Sequence, residues 1–312
     1  MLLIDRYTKL YGKKVAVDNL SLHIKPGEIY GFIGHNGAGK TTTLKACAGI
    51  LNFEYGNILI DGISIKEKPM ECKKKIAYIP DNPDLYGFLT GAAYLNFIAD
   101  IYKVPLEIRN KRIEDFADKY GIIDDLGMPI NSYSHGMRQK IAIISALIHE
   151  PKLILMDEPF VGLDPKASHT LKNQMREICD NGGAIFFSTH VLEVAEKLCD
   201  KVAVIKDGRL IASGTMAEVI YLLRMRFLNW RNRVKVFLQL LKMRILSVFK
   251  GSGKKDKYKK NIGFKVFIGI VVAYAALCFV GMFGFYFMQL AENFVEQEAG
   301  FAYFSMGAVV MV

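Results

Sequence analysis

Cysteine is sparse and unpatterned in this sequence. Cys47, Cys72, Cys179, Cys199 and Cys278 are scattered along the chain with no CxxC pair and no histidine at ligand spacing. A disulfide framework and a zinc-finger arrangement are thereby excluded, and a reducing compartment is expected for the soluble part. An apolar leader is also missing: Asp5 and Arg6 follow only four apolar residues, too few for the h-region of a secretory signal. The first domain is expected to stay inside the cell. Acid is nearly absent from one stretch, Arg224 to Lys260, which holds 13 basic residues and the single acid Asp256. That is +12 in a chain of net charge +10, so the remainder sums to −2. An evenly spread excess would suggest nucleic acid; a local one directly before an apolar run is the pattern of cytoplasmic charge beside a membrane span.

Charge of either sign is absent from Val266 to Leu290, a run of 25 residues bracketed by Lys265 and Glu292. At about 1.5 Å per residue it exceeds the roughly 30 Å hydrocarbon core, so a transmembrane helix is expected over 266–290. Between the basic stretch and this run, Val234 to Phe249 places Val234, Phe237, Leu238, Leu241, Ile245 and Val248 at helical spacing, with Lys235, Gln239 and Lys242 on another face. The pattern is that of a helix lying in a membrane interface, with a soluble surface helix as the lesser alternative. A second apolar run covers 299–312; it would reach only about 21 Å, which leaves a re-entrant segment or a fragment of a longer transporter. The expected divisions are therefore a domain at 1–223, a basic juxtamembrane segment at 224–263 and a membrane segment at 264–312.

Residues 1–223 alternate strand-like and helix-like runs, the pattern of an α/β domain around a partly parallel sheet. Short apolar runs mark strands at Glu28–Ile33, Ile76–Ile79, Leu153–Met156 and Ala184–Ser188. Val202–Ile205 and Arg209–Ala212 flank Lys206, Asp207 and Gly208 as a hairpin would. Between two of these strands, about 86–150, lie three helical stretches, Gly91–Tyr102, Leu106–Tyr120 and Arg138–His149, read as a helical insertion.

Chemistry enters at Gly34, His35, Asn36, Gly37, Ala38, Gly39, Lys40 and Thr41, the octet GHNGAGKT, followed by Thr42. It follows a strand and opens a helix, the context that a phosphate-binding loop requires. Glycines at 34, 37 and 39 let successive amides point at phosphate oxygens, and the helix adds its positive end. Lys40 is expected to reach the β and γ phosphates of ATP, and Thr41 to ligate Mg²⁺. The strand LILMDEP ends in adjacent carboxylates. Asp157 is expected to hold the metal through water, and Glu158 to orient and polarise the attacking water.

With these two motifs placed, residues 2–223, roughly 70 per cent of the chain, resemble the nucleotide-binding domain of ATP-binding-cassette (ABC) transporters, a P-loop NTPase fold with a helical subdomain. YSHGMRQ at Tyr133–Gln139 is similar to the family's signature segment. The resemblance implies that Ser134 and the Gly136 amide face the γ-phosphate held by a second nucleotide-binding domain. GLD at Gly162–Asp164 resembles the loop that crosses the dimer interface, His190 in STH the histidine that touches the γ-phosphate, and Tyr11 the aromatic that stacks on adenine. Two departures stand out. Asp81 occupies the position where the family usually carries the metal-binding and membrane-sensing Gln; Asp is shorter and charged but retains the oxygens to bind metal. His135 and Met137 replace the signature's usual Gly and Gln, a mark of bacterial export-type ATPases. The resemblance implies an ATPase at the cytoplasmic membrane, its ATPase domain on the cytoplasmic side, that energises transport, export being the expected direction, with a second cassette and a membrane-spanning permease rather than nucleic acid as partners. A soluble cassette acting on ribosomes or DNA is the competing reading; the 25-residue uncharged run and the lack of a second cassette argue against it.

Overall fold

The structure, a computed structural model, describes residues 1–223 together with 225 and 239. The chain divides into two compact units, Met1–Val219 and Ile220–Val312. The amphipathic stretch at 234–249, the expected span at 266–290 and the second apolar run at 299–312 lie outside the described residues, residue 239 aside. Among the described residues no helix is long and apolar enough to cross a membrane.

The first unit is built on two sheets. A six-stranded mixed sheet has the order β10-β9-β3-β8-β7-β6, with β3 at Ile29–Ile33, β6 at Ile76–Ile79, β7 at Leu153–Asp157, β8 at Ala184–Thr189, β9 at Lys201–Lys206 and β10 at Arg209–Gly214. All neighbours in it pair in parallel except β9 with β10. Strands β3, β7 and β8 are buried along their whole length, which is why they read as continuous apolar runs rather than alternating ones. The β9–β10 hairpin turns through Asp207 and Gly208 at φ 49° and 78°, the pair of positive φ angles that a two-residue type I′ turn requires.

The second sheet, order β2-β1-β4-β5, is antiparallel: β1 Leu2–Tyr11, β2 Lys14–Ile24, β4 Tyr55–Ile60 and β5 Ile63–Ser64. Sequence periodicity did not separate it from the parallel sheet. Register shifts between β1 and β2, with Arg6 and Asn19 at positive φ, interrupt the alternation that would have marked it.

Two apolar cores lie on opposite faces of the large sheet. Leu153, Leu155, Ala184, Phe186, Tyr30 and Phe32 pack with the antiparallel sheet and with α1 (Lys40–Cys47). Ile154, Met156, Ile185 and Phe187 pack with the helical insertion and α6 (Pro165–Asp180). The odd and even residues of each strand thus serve different layers. The insertion comprises α3 (Gly91–Ile101), α4 (Leu106–Lys119) and α5 (His135–Leu147). Helix α5 begins three residues before the apolar periodicity suggests, because Ser134 caps it by accepting from the Met137 amide at 3.3 Å. Two further helices, α2 (Pro69–Lys73) and α7 (Leu192–Leu198), lie in the same unit.

Candidate active site

The loop between β3 and α1 is shaped by what its backbone must approach. Gly37 and Gly39 lie at φ 81° and 107°, where side chains other than glycine are disfavoured. Gly34 serves differently: a Cβ there would stand 2.6 Å from the Ile205 carbonyl oxygen at the end of β9. Lys40 is buried and donates to the carbonyls of Gly34 at 2.6 Å and His35 at 3.3 Å, so its ammonium is folded into the loop it follows. The His35 ring lies 3.5 Å from the Asp207 carboxylate of the β9–β10 turn, and Ala38 is fully buried.

The carboxylates enter from β7. Asp157 is its last residue, 2 % exposed, and accepts from the Ser188 hydroxyl through Oδ1 at 2.5 Å. Glu158 follows at φ 46°, a left-handed conformation uncommon for a non-glycine residue. Its Oε2 lies 3.0 Å from His190 Nδ1 and its Oε1 3.4 Å from Lys40 Nζ. Oε1 is buried without a hydrogen bond, so the Lys40 contact is an ion pair only.

Most of these residues border one cleft of about 550 Å³, whose lining does not include Gly34, Ala38, Ser188 or His190. Tyr11, His35, Asn36, Gly37, Gly39, Lys40, Thr41, Thr42, Asp81, Asp157 and Glu158 line it, with Lys14, Val15, Ala16, Asp207 and Gly208. No motif assigned the last five to the site, since they are brought in by the antiparallel sheet and the β9–β10 turn. Asp81 is exposed, yet its carboxyl is held above the usual carboxylate range, by partial burial first and then by repulsion from Asp157 and Glu158, with the His135 and His190 rings opposing. A larger cleft of about 720 Å³, lined by Arg112, Glu150, Lys152 and Gln174 among others, contains none of the motif residues.

Ser134, Gly136 and Asp164 lie outside the cleft lining. Beside them the backbones of Gly136 and Gly162 close on each other: a Cβ on Gly136 would meet the Gly162 carbonyl at 2.6 Å, and one on Gly162 would run into the His135 ring. Asp164 caps α6 by accepting from the Ala167 amide at 2.8 Å and pairs with Lys140 at 2.7 Å. The Lys140 ammonium, then the cap amide, holds the Asp164 carboxyl below its ordinary range.

Hydroxyl and carboxylate oxygens around a cationic loop are a donor set for magnesium, a hard ion that keeps water and phosphate among its ligands. Thr41, Asp157 and Asp81 border the same cleft, and one Asp157 oxygen stands outside the Ser188 bond. Among the described residues no three acidic, His or Cys side chains form a metal cage.

A parallel sheet whose strand β3 runs through a glycine loop into a helix, with a carboxylate-tipped strand two places away, is the architecture of a P-loop nucleotide-binding domain. The family profile described as ABC transporter matches residues 17–161. The linearmycin resistance ATP-binding protein LnrL of Bacillus subtilis (strain 168) is 33% identical over 219 residues, 70% of either chain. The Nod factor export ATP-binding protein I of Ralstonia nicotianae is 31% identical over 220 residues, 70% of this chain and 68% of that protein. A solved structure described as the ATP-binding subunit of an ABC transporter superposes with a TM-score of 0.68 at 32% identity, covering 73% of this chain and 93% of that one. The chain belongs to the ABC transporter ATP-binding proteins, the ATPase subunits of these transporters.

Proposed function

We propose that this chain hydrolyses Mg·ATP at the β3–α1 loop in a closed pair of cassettes, and that opening and closing of the pair drives export through a membrane-spanning partner. The observation that carries the site is the convergence of Lys40, Thr41, Asp157 and Glu158 on one cleft, with Glu158 between Lys40 and His190. Residues 34–42 bind the phosphates, their amides and the Lys40 ammonium matching a polyanion. Thr41 and Asp157 hold magnesium, with Asp81 as a third oxygen donor; the ion supplies charge neutralisation of the phosphate oxygens. Glu158 orients and polarises the attacking water, and His190 holds the Glu158 carboxylate through Oε2 and contacts the γ-phosphate. Tyr11 is half-exposed at the cleft mouth and stacks on the base.

Ser134 and Gly136, at the start of α5, complete the site of a second cassette rather than their own. Their position outside this cleft and at a helix N-terminus supports that reading, and Asp164 holds the neighbouring loop in register with them. The permease docks on the exposed aromatic patch after Asp81, formed by Tyr86, Phe88 and Phe97. The domain boundary at about 223, a juxtamembrane segment at 224–263 and a membrane segment at 264–312 belong to the same proposal and place the ATPase on the cytoplasmic face of the membrane. Export as the direction draws support from the relative that is named for it.

The test is Glu158→Gln. The variant is expected to lose ATP turnover by about 100-fold or more and to accumulate an ATP-bound dimer on size-exclusion chromatography. Turnover at the wild-type rate would remove Glu158 from the chemistry.

A further inference from the structure

Beneath the two carboxylates lies a hydroxyl that the motifs do not assign. Strands β7 and β8 pair in parallel with Asp157 opposite Ser188, so the Ser188 side chain arrives beside the Asp157–Glu158 step from the neighbouring strand. Ser188 is fully buried. Its Oγ donates to Asp157 Oδ1 and accepts from the Glu158 amide at 3.1 Å. A serine hydroxyl has one proton to give, and here that proton is committed to the metal-side carboxylate while a lone pair holds the next residue's backbone.

That backbone needs holding. Glu158 stands at φ 46°, a region an L side chain rarely adopts, and this turn aims its carboxylate at Lys40 and His190. An isolated strand end would relax to extended geometry. The hydrogen bond from the Glu158 amide to Ser188 Oγ ties the turn to the middle of the sheet.

We infer that Ser188 is a positioning residue of the ATPase: its hydroxyl orients the Asp157 carboxylate toward the metal and fixes the Glu158 backbone in the turn that presents Glu158 to the water. The inference rests on the roles proposed above for Asp157 and Glu158. It assigns to Ser188 no contact with nucleotide.

Ser188→Thr and Ser188→Val in the full chain differ only by hydroxyl against methyl, and both are β-branched residues suited to a strand. The expected result is a kcat lowered at least about tenfold in Ser188→Val, with KM for ATP within about threefold of wild type, and Ser188→Thr within about threefold on both. Turnover is not the sole readout. Electron paramagnetic resonance titration of Mn²⁺ in the presence of ADP should show affinity weakened at least about threefold in Val and retained in Thr. Ser188→Ala, which adds no bulk, guards against misfolding and should follow Val, with thermal unfolding confirming a folded chain. Thr and Val equal on both readouts, or Ala at wild-type kcat and Mn²⁺ affinity, would overturn the inference. Wild-type turnover in Glu158→Gln would instead sink the reading of the carboxylates, and the Mn²⁺ titration would still report on Ser188.

Discussion

Asp164 shows how one side chain in an interface-type motif is occupied by its own fold. One oxygen caps α6 and the other pairs with Lys140. A carboxyl whose folded-state pKa lies below its unfolded value contributes stability that is complete above the unfolded value, about 3.9, and is lost as pH falls toward the folded one. Asp164→Asn keeps an accepting oxygen for the cap but loses the charge. It is expected to be less stable than wild type at pH 7, by less than about 1 kcal/mol because the pair is half-exposed. Denaturant unfolding at pH 7 and pH 3 should show that difference shrink at the lower pH. A gap unchanged at pH 3 would mean that the Lys140 pair contributes nothing. At this scale the motif residues Lys40, Asp157 and Glu158 were legible from type and spacing, whereas Ser188 was not: its significance depends on facing Asp157 across two strands far apart in sequence.

Among elements, the junction between the helical insertion and the sheet has a titratable pin. His149, just beyond α5, donates from Nε2 to the Ile76 carbonyl of β6 at 3.3 Å and stacks on Tyr102 at the end of α3, ring centroids 3.6 Å apart. Burial, then the Arg112 charge, lowers its pKa against the effect of the Ile76 carbonyl, and Nδ1 is buried without a partner. The folded state thus prefers the neutral ring. Its contribution is complete above the unfolded value of about 6.5 and is lost as pH falls through the window below it. His149→Phe preserves the stack and removes the titration. Its unfolding free energy is expected to change less than that of wild type between pH 7.5 and pH 5.5, as read by denaturant titration; equal slopes would show that His149 does not set this pH dependence. The insertion's helices were visible in the apolar spacing of 91–102 and 106–120, but the pin was not, since periodicity is blind to which carbonyl a helix-end histidine will meet.

For the molecule as a whole, the exposed rings of Tyr86, Phe88 and Phe97 lie 5.8 to 6.0 Å from one another about Tyr86, and Phe88 is 80 % exposed. A clustered aromatic patch of this kind marks an interaction surface rather than a solvated loop. Phe88→Asp, remote from the phosphate loop in sequence and absent from the cleft lining, should leave the basal ATPase of the chain within about twofold and abolish stimulation by a co-expressed permease. Stimulation that survives the substitution would move the docking surface elsewhere.

Local chemistry needs only local sequence, so the phosphate loop, the carboxylate-tipped strand, the buried parallel strands and the inserted helices could be read directly: their residue types, spacing and turn signals are contiguous. The family resemblance followed from the order of those pieces. The contribution of Ala16 and Asp207 to the cleft, the closed contact of Gly136 with Gly162 and the hydroxyl bridge from Ser188 could not, because each depends on approach between segments tens to nearly two hundred residues apart. Sequence spacing carries no record of such distances. Packing two sheets against a shared strand layer decides them.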